Sequence, residues 1–538
     1  MVMDRREFLA GSMGAGLLAA LPADLLAQSG RAPNSQAWDS GRVRHLLPTV
    51  SDTRVLLKAS FTRPLSVAPR LRLEGRGVAG RTVVGRMNDT RGEFWQFYAD
   101  GLEPGRRYTL SLVAAGGGAL CQPWDISLFP GPNAQPDRLR VLFFTCAGGH
   151  DRLGYLPAVI RNRLLRRALS YSPQIAVANG DHVYWDLLAP KMSLTHGASA
   201  EAERLAGKFV RSALIFGDKN ETVLKLATEP QIIPVYGTDF RSTPVFFLQD
   251  DHDYFDNDEA TDTVITFPPS WFMLQLARAT QRLYYPEFLP DANRPANLPW
   301  SSGDRIAGLS ESFGTIRFGR LAEILLYDVR RTMTLAGASA VFVDPEVEKW
   351  LHVRAASQDV THFVHAPSNP PGWSAGKWGE WYPDVLGADN KLTAAVRKPY
   401  WQEGWLKQHD RLMASLAAMK RRAPLIISGD LHAVAMGQML RCGALDLKAN
   451  PITTVLAGPI STGDAVWPST FRGVGATPPS HLDMREEIRP IEQHGFTLVD
   501  FLPDRIALQF FKWDVKTQAP EAIDSLEPFH KAELGLRI

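Results

Sequence analysis

A chain of 538 residues exceeds what one hydrophobic core ordinarily organises, so two domains are expected. Hydrophobic residues at 45% and charged residues at 22% exclude a disordered chain, and 26 Phe with 14 Trp supply a large core. The formal net charge of +2 gives no basis for binding duplex nucleic acid, and no apolar run beyond the first 30 residues is long enough for stable membrane insertion.

The chain opens with Asp4-Arg5-Arg6-Glu7-Phe8-Leu9, a Gly- and Ala-rich apolar stretch to Leu21, and a small-residue exit at Ala27. Basic start, apolar middle and small-residue exit make residues 1–27 an export signal. The paired arginines resemble the twin-arginine type, which implies the twin-arginine export machinery as partner and a periplasmic or extracellular destination. Export of an already folded protein suits one that acquires metal in the cytoplasm. The three cysteines, Cys121, Cys146 and Cys442, leave at least one thiol unpaired; a Cys121–Cys442 disulfide is left open by the sequence.

Residues 40–132 read as short strands divided by turns. Arg70-Leu71-Arg72-Leu73 alternates as a half-buried strand does, and Val55–Leu57 is another short apolar run. Gly101 to Leu110 is a turn leading into a strand and looks like the corresponding part of a fibronectin-type sandwich. Pro130-Gly131-Pro132-Asn133 reads as a linker.

Residues 138–538 change texture. The runs Val141–Phe144, Ile175–Ala178, Val245–Leu248, Ile324–Leu326, Phe363–Val364, Leu425–Ile427 and Thr453–Leu456 predict buried strands. Between them Arg161–Leu169, Glu346–Arg354 and Asp410–Lys420 predict helices, so the region is layered α/β. Several runs end in residues able to ligate a cation: Cys146, Asp181, Asp250-Asp251-His252, His365 and Asp430-Leu431-His432. In α/β sheets such residues converge in the crevice beyond the carboxyl ends of the strands.

Gly180-Asp181-His182-Val183-Tyr184 and Gly429-Asp430-Leu431-His432 repeat one strand–Gly–Asp arrangement, with a carboxylate whose two oxygens can bridge two cations. Asp250-Asp251-His252-Asp253, with Asn257-Asp258 after it, concentrates negative charge that a cleft holds only with positive charge among it. A cysteine nucleophile is disfavoured, since Cys146-Ala147-Gly148-Gly149-His150 has no arginine closing an anion loop.

These motifs, with Tyr327-Asp328-Val329-Arg330-Arg331 and Gln402-Glu403-Gly404-Trp405-Leu406, resemble the PhoD-type alkaline phosphatase family of metallophosphoesterases. The resemblance covers nearly the whole mature chain. It implies an α/β fold of layered β-sheets flanked by helices, preceded by a small all-β fibronectin-like domain. It further implies that Cys146, Asp181, Tyr184 and His432 hold one metal, with Asp181 shared with a second. Asp251 and Asp430 help complete the other sites, His252 is proton donor or phosphate ligand, and Arg330 holds phosphate oxygens. Thiolate beside phenolate suits Fe(3+), and the carboxylates suit Ca(2+), with Mn(2+) or Zn(2+) as alternatives. His365 stands where related metallophosphoesterases place a ligand histidine, and Asp253 replaces the glutamate more usual after Asp-Asp-His. His150, His182 and Asp186 are read as local hydrogen-bonding groups, and Trp373, Trp378, Trp381 and Tyr382 as a lid, a rim or an anchored surface loop.

The function so implied is hydrolysis of a phosphate-ester small molecule or polymer by in-line attack of a metal-activated hydroxide. A phospholipase D-like phosphodiesterase and a non-catalytic, metal-stabilised binding protein are the alternatives.

Overall fold

A computed structural model describes residues 38–185, 197–217, 219–254, 268–299, 301, 303–334, 336–375, 385–386, 392–393, 402–463, 467–469 and 475–536. The expected export signal at 1–27, and with it Asp186, Asn257, Asp258, Trp378, Trp381 and Tyr382, lies outside the described residues. Among the described residues no helix is long and apolar enough to cross a membrane.

The first strands are β1 (Val43–Val50), β2 (Val55–Phe61), β3 (Arg70–Gly75), β4 (Arg81–Val84), β5 (Arg86–Met87), β6 (Phe94–Ala99), β7 (Arg107–Val113) and β8 (Trp124–Ser127). They pair antiparallel as two four-stranded sheets, β1-β2-β6-β5 and β4-β3-β7-β8, the arrangement of a fibronectin-type sandwich. In β3 the alternation holds: Leu71 and Leu73 are buried while Arg70 and Arg72 are exposed. At the turn into β7 the backbone N–H of Glu103 donates to the Tyr108 hydroxyl at 3.0 Å. That bond, a tyrosine corner, pins the turn to the strand it feeds.

Next come β9 (Leu139–Phe144), β10 (Ile175–Asn179), β11 (Val245–Leu248), β12 (Phe313–Phe318), β13 (Ala322–Tyr327), β14 (His362–Pro367), β15 (Val385–Leu386), β16 (Leu392–Thr393), β17 (Leu425–Ser428) and β18 (Val434–Cys442). The last are β19 (Leu445–Asp446), β20 (Ile452–Ala457), β21 (Leu482–Ile491), β22 (His494–Phe501), β23 (Arg505–Trp513) and β24 (His530–Gly535). The helices are α1 (Ala158–Ser170), α2 (Gly197–Ala206), α3 (Asn220–Tyr236), α4 (Trp271–Tyr284), α5 (Pro345–Ala356) and α6 (Glu403–Ala417).

Two mixed sheets carry this part of the chain. One is ordered β11-β10-β9-β22-β23-β24; the other is β12-β13-β14-β17-β20-β18-β19, with β21 also paired to β18. Strand period decides the layers. Val141 and Phe143 of β9 join Val364, Ile427 and Val455 of the second sheet in the core between the sheets. Leu142 and Phe144 point the other way, onto Leu164 and Leu165 of α1, Leu224 of α3 and Leu276 of α4. Leu325, Phe363 and Ile426 meet Trp350, Leu351 and Leu412 of α5 and α6 on the far face of the second sheet. The result is helix, sheet, sheet, helix, with each buried large apolar side chain contributing about 1.5–3 kcal/mol.

Within the first sheet β9, β10 and β11 are parallel, and within the second β13, β14, β17 and β20 are parallel. A parallel bridge between Thr145 and Pro459 joins the sheets just beyond β9 and β20. Asn179, at the end of β10, donates to the carbonyls of Pro367 at 3.0 Å and Ile427 at 3.4 Å. The carboxyl ends of both parallel sets therefore open on one crevice.

Candidate functional site

Five of the strands that end at the crevice deliver polar residues there: Cys146 after β9, Asp181 after β10, Asp250 and Asp251 after β11, Arg330 after β13, and Asp430 after β17. Turning out of a strand within one or two residues demands unusual backbone. Among the described residues six non-glycine residues have positive φ, and four of them are Cys146 (50°), Asp181 (57°), Asp430 (70°) and His432 (49°). Left-handed conformations of this kind cost about 1–3 kcal/mol each and persist where the surroundings hold them. Glycine is needed beside them for close approach: a Cβ on Gly180 would stand 2.5 Å from the Asp250 Cβ, and one on Gly429 would collide with the Thr145 hydroxyl and the Asn179 carbonyl. These glycines let neighbouring strand ends come together.

The donor atoms fall into three overlapping groups, in each of which one ligand atom per residue lies within 4.8 Å of the others. They are Cys146, Asp181 and His432; Asp181, Asp251 and His252; and Asp250, Asp251 and Asp430. Asp181 belongs to two of them, as a shared carboxylate must. Its Oδ2 is 3.2 Å from the Cys146 Sγ and 3.4 Å from the Tyr184 hydroxyl, which in turn is 3.0 Å from Nε2 of His432. The Tyr184 ring also packs tilted on the His252 ring, centroids 4.2 Å apart.

Burial makes the electrostatics severe. Asp181, Asp250 and Asp251 are fully buried and Asp430 nearly so. Burial pushes the Asp250 carboxyl well up, with Arg330 opposing and Asp251, Asp430 and Asp181 adding to the rise. Burial, then the nearby Asp181 carboxylate, likewise raises the Cys146 thiol. Oδ2 of Asp250 is buried with no hydrogen-bond partner among the described residues. Buried carboxylates outnumber the guanidinium that pairs with them, a thiol sits in the same set, and an acceptor oxygen is orphaned. The donor set fits bound cations.

Arg330 is fully buried; it donates from Nε to Asp250 at 2.5 Å and from NH2 to Asp430 at 3.1 Å, with Asp251 at 3.5 Å, so two of its three nitrogens face carboxylates. One assignment is corrected: His365 does not join the cluster among the described residues. Strand alternation turns its side chain to the helix-covered face of β14, where Nδ1 lies 3.1 Å from the Tyr327 hydroxyl and the ring packs edge-on against Phe363. Burial lowers its pKa to about 3, so it is a neutral packed histidine.

Other sequence features turn out to position the site. Asp253 accepts backbone hydrogen bonds from Asp181, His182, Val183 and Asp250, all at 3.0–3.1 Å, and so ties the β10 exit to the β11 exit. Gln231 of α3 accepts from the backbone of Gly149 at 2.7 Å and of Tyr184 at 3.0 Å. The Gln402 side chain accepts from Ala336 and Gly337, while the Trp405 indole donates to Thr334, anchoring α6 to the segment after Arg330. His182 lies 2.8 Å from the Leu248 carbonyl and His150 accepts from the Arg152 backbone. Trp373 is buried and donates to Glu486, so it is an anchor. All three cysteines are free and buried, and none is bridged to another.

Asp250, passed over in the ligand set, is as central as Asp251; its signal was the doubled aspartate itself. Trp467 was missed altogether: its ring lies 6.5 Å from that of His432, and nothing in the sequence around it marks it. His252 and His432, at 9% and 8% exposure, are the least buried members of the cluster, so the approach from solvent lies on their side.

No family model matches the sequence and no curated protein matches it. Among solved structures the fold is similar to the structure of PhoD, with a TM-score of 0.58, over 94% of this chain and 93% of that chain, at 13% identity. The fold is PhoD-like. The FN5 domain of Drosophila Lar matches 17% of this chain and 98% of its own, with 16% identity and a TM-score of 0.13. A Ruminococcus gnavus β-glucuronidase matches 72% of this chain and 62% of its own, with 12% identity and a TM-score of 0.23. Likenesses that slight carry no argument.

Proposed function

We propose that the protein is an exported, metal-dependent phosphoesterase of the alkaline phosphatase or phosphodiesterase kind. The observation that carries this reading is the convergence of Cys146, Asp181, Asp250, Asp251, His252, Asp430 and His432 into linked groups of donors at the carboxyl ends of parallel strands. The PhoD-like fold supports it.

Cys146, Asp181, Tyr184 and His432 would hold one cation, a thiolate and phenolate set that suits Fe(3+). Asp250, Asp251 and Asp430, with Asp181 shared, would hold a harder one such as Ca(2+); Mn(2+) or Zn(2+) can replace either. Cations in these positions supply activation of water and neutralisation of phosphate charge. The chain's own groups do the rest. Asp181 and Asp251 keep the groups at a fixed separation, and Arg330 holds Asp250, Asp251 and Asp430 in register. His252, on the less buried side and stacked on Tyr184, is placed to give a proton to the leaving oxygen. The substrate is a phosphate ester, small or polymeric, met in the periplasm or outside the cell after passage through the twin-arginine machinery directed by residues 1–27.

The test is hydrolysis of p-nitrophenyl phosphate and bis-p-nitrophenyl phosphate by protein first stripped with chelator and then reloaded with iron and calcium. At least one ester is cleaved after reloading and neither before it, and Asp181→Asn lowers the rate on the order of 100-fold or more. A reloaded, folded protein that cleaves neither, or an Asp181→Asn chain of full activity, overturns the reading.

A further inference from the structure

Away from the cluster just described, a second set of donors meets on the far side of the second sheet. His409 and Asp410 lie in α6, Cys442 is the last residue of β18, and His481 immediately precedes β21. One ligand atom each from His409, Cys442 and His481 lies within 4.8 Å of the others. The Cys442 Sγ is 3.3 Å from Nδ1 of His409 and 3.1 Å from Oδ1 of Asp410. The His409 and His481 rings stand nearly perpendicular, at 84°, centroids 6.1 Å apart.

The backbone holds these segments in place. Cys442 pairs with Leu482 across the β18–β21 ladder, and Gly443 N–H donates to the His481 carbonyl at 2.9 Å. The Arg441 guanidinium donates to the carbonyls of Gly443 and His481, each at 3.0 Å. α6 comes from the opposite direction, its Leu412, Met413 and Leu416 seated on the sheet. Cys442 and His409 are both buried.

We propose that His409, Cys442 and His481, completed by Asp410, form a structural zinc-type site that ties α6 to β18 and β21. A tetrahedral zinc ion sits about 2.0–2.3 Å from nitrogen, sulfur and carboxylate donors, and so keeps them about 3.3–3.8 Å apart. The sulfur–nitrogen and sulfur–oxygen separations of 3.3 Å and 3.1 Å are already close to that range. Two imidazoles and a thiol select a borderline-soft ion over calcium or magnesium. Asp410, with Oδ1 3.1 Å from the sulfur, is the candidate for the fourth position, and a fourth protein donor there would close the site to substrate and make it structural. It is also remote: from Val434, two residues past His432, the eight steps of β18 to Cys442 span ~27 Å. The inference stands whether or not the chain hydrolyses phosphate esters.

Cobalt(II) is the probe. In a Cys146→Ser chain, added Co(II) gives a near-ultraviolet thiolate band whose amplitude corresponds to one site per chain. It vanishes in the Cys146→Ser, Cys442→Ser double variant, and His481→Ala weakens it. Zinc content of the otherwise unaltered chain falls by one equivalent with Cys442→Ser, while ester hydrolysis is kept. No thiolate band in Cys146→Ser, or a band that survives Cys442→Ser, overturns the proposal. If Cys146→Ser does not fold, zinc-edge anomalous scattering from crystals of the unaltered, zinc-loaded chain decides. A peak among His409, Cys442 and His481 is the expected result, and none there is the contrary one.

Discussion

The Nε of Arg330 donates to Oδ1 of Asp250 across 2.5 Å, with both side chains fully buried, and the same guanidinium reaches Asp430 and Asp251. A cation fixed among aspartates neutralises part of their charge whether or not metal is present. Removing one partner of a buried ion pair costs about 3–5 kcal/mol, because the other charge stays buried. Arg330→Met is therefore expected to lose that much stability in chelator, read from urea denaturation, and to lose less once cations are restored. An unchanged midpoint in chelator would refute the counter-charge role.

Asp253 carries a different load. Its carboxylate accepts four backbone N–H groups from the exits of β10 and β11, and Asp253→Ala leaves these buried donors without their acceptor. At about 1–3 kcal/mol for each unsatisfied group, partly relaxed, the variant should lose at least ~3 kcal/mol. Asp253→Asn keeps one acceptor oxygen and should lose less. Because the two exits carry Asp181 and Asp250, metal affinity should fall about 10–100-fold in a calorimetric titration. An Asp253→Ala chain of native stability and affinity would reduce the residue to a bystander.

The strands were legible where burial is two-sided or strictly alternating. Val141–Phe144, Ile175–Ala178 and Leu425–Ile427 are runs that both sheet faces cover, and each is a strand in the structure. α3 was not legible. It holds Pro230 and Pro234, residues that normally break a helix, and is retained by the burial of Val223, Leu224, Ala227, Ile232 and Val235. The site was legible as a series of polar strand ends because parallel strands send every exit to one crevice. Side-chain direction was not. His365 looks like any other strand-end histidine until the register of β14 turns it to the helical face.

Tyr184 joins Asp181 and His432, 3.4 Å and 3.0 Å from its hydroxyl, and is held in place by the Tyr155 ring with centroids 4.8 Å apart. Packing on Tyr155 and His252 does not depend on the hydroxyl, so Tyr184→Phe should fold with little loss. Protein purified without added metal is expected to contain iron by elemental analysis and to absorb broadly in the visible. Tyr184→Phe should lose most of that absorption and about 10-fold or more in kcat/KM. Colourless protein carrying zinc or manganese would remove Tyr184 and Cys146 from the ligand set and leave the carboxylates in it.

A buried histidine of the N-terminal sandwich contributes to acid sensitivity. His45 in β1 is fully buried, neither ring nitrogen is hydrogen-bonded among the described residues, and burial with the nearby Arg44 charge lowers its pKa from 6.5 to about 3. The unfolded chain binds a proton at this residue below about pH 6.5, and the folded chain does not until about pH 3. The folded state is thus undisturbed by His45 above pH 6.5. It loses about 1.4 kcal/mol for each pH unit below that, through this residue alone, until the folded pKa is reached. His45→Leu takes the proton away from both states. Denaturation at pH 7, 6 and 5 should show the variant's stability falling less steeply than the parent's, by one proton's slope. Parallel slopes would mean that His45 is reached by water or protonated within the fold.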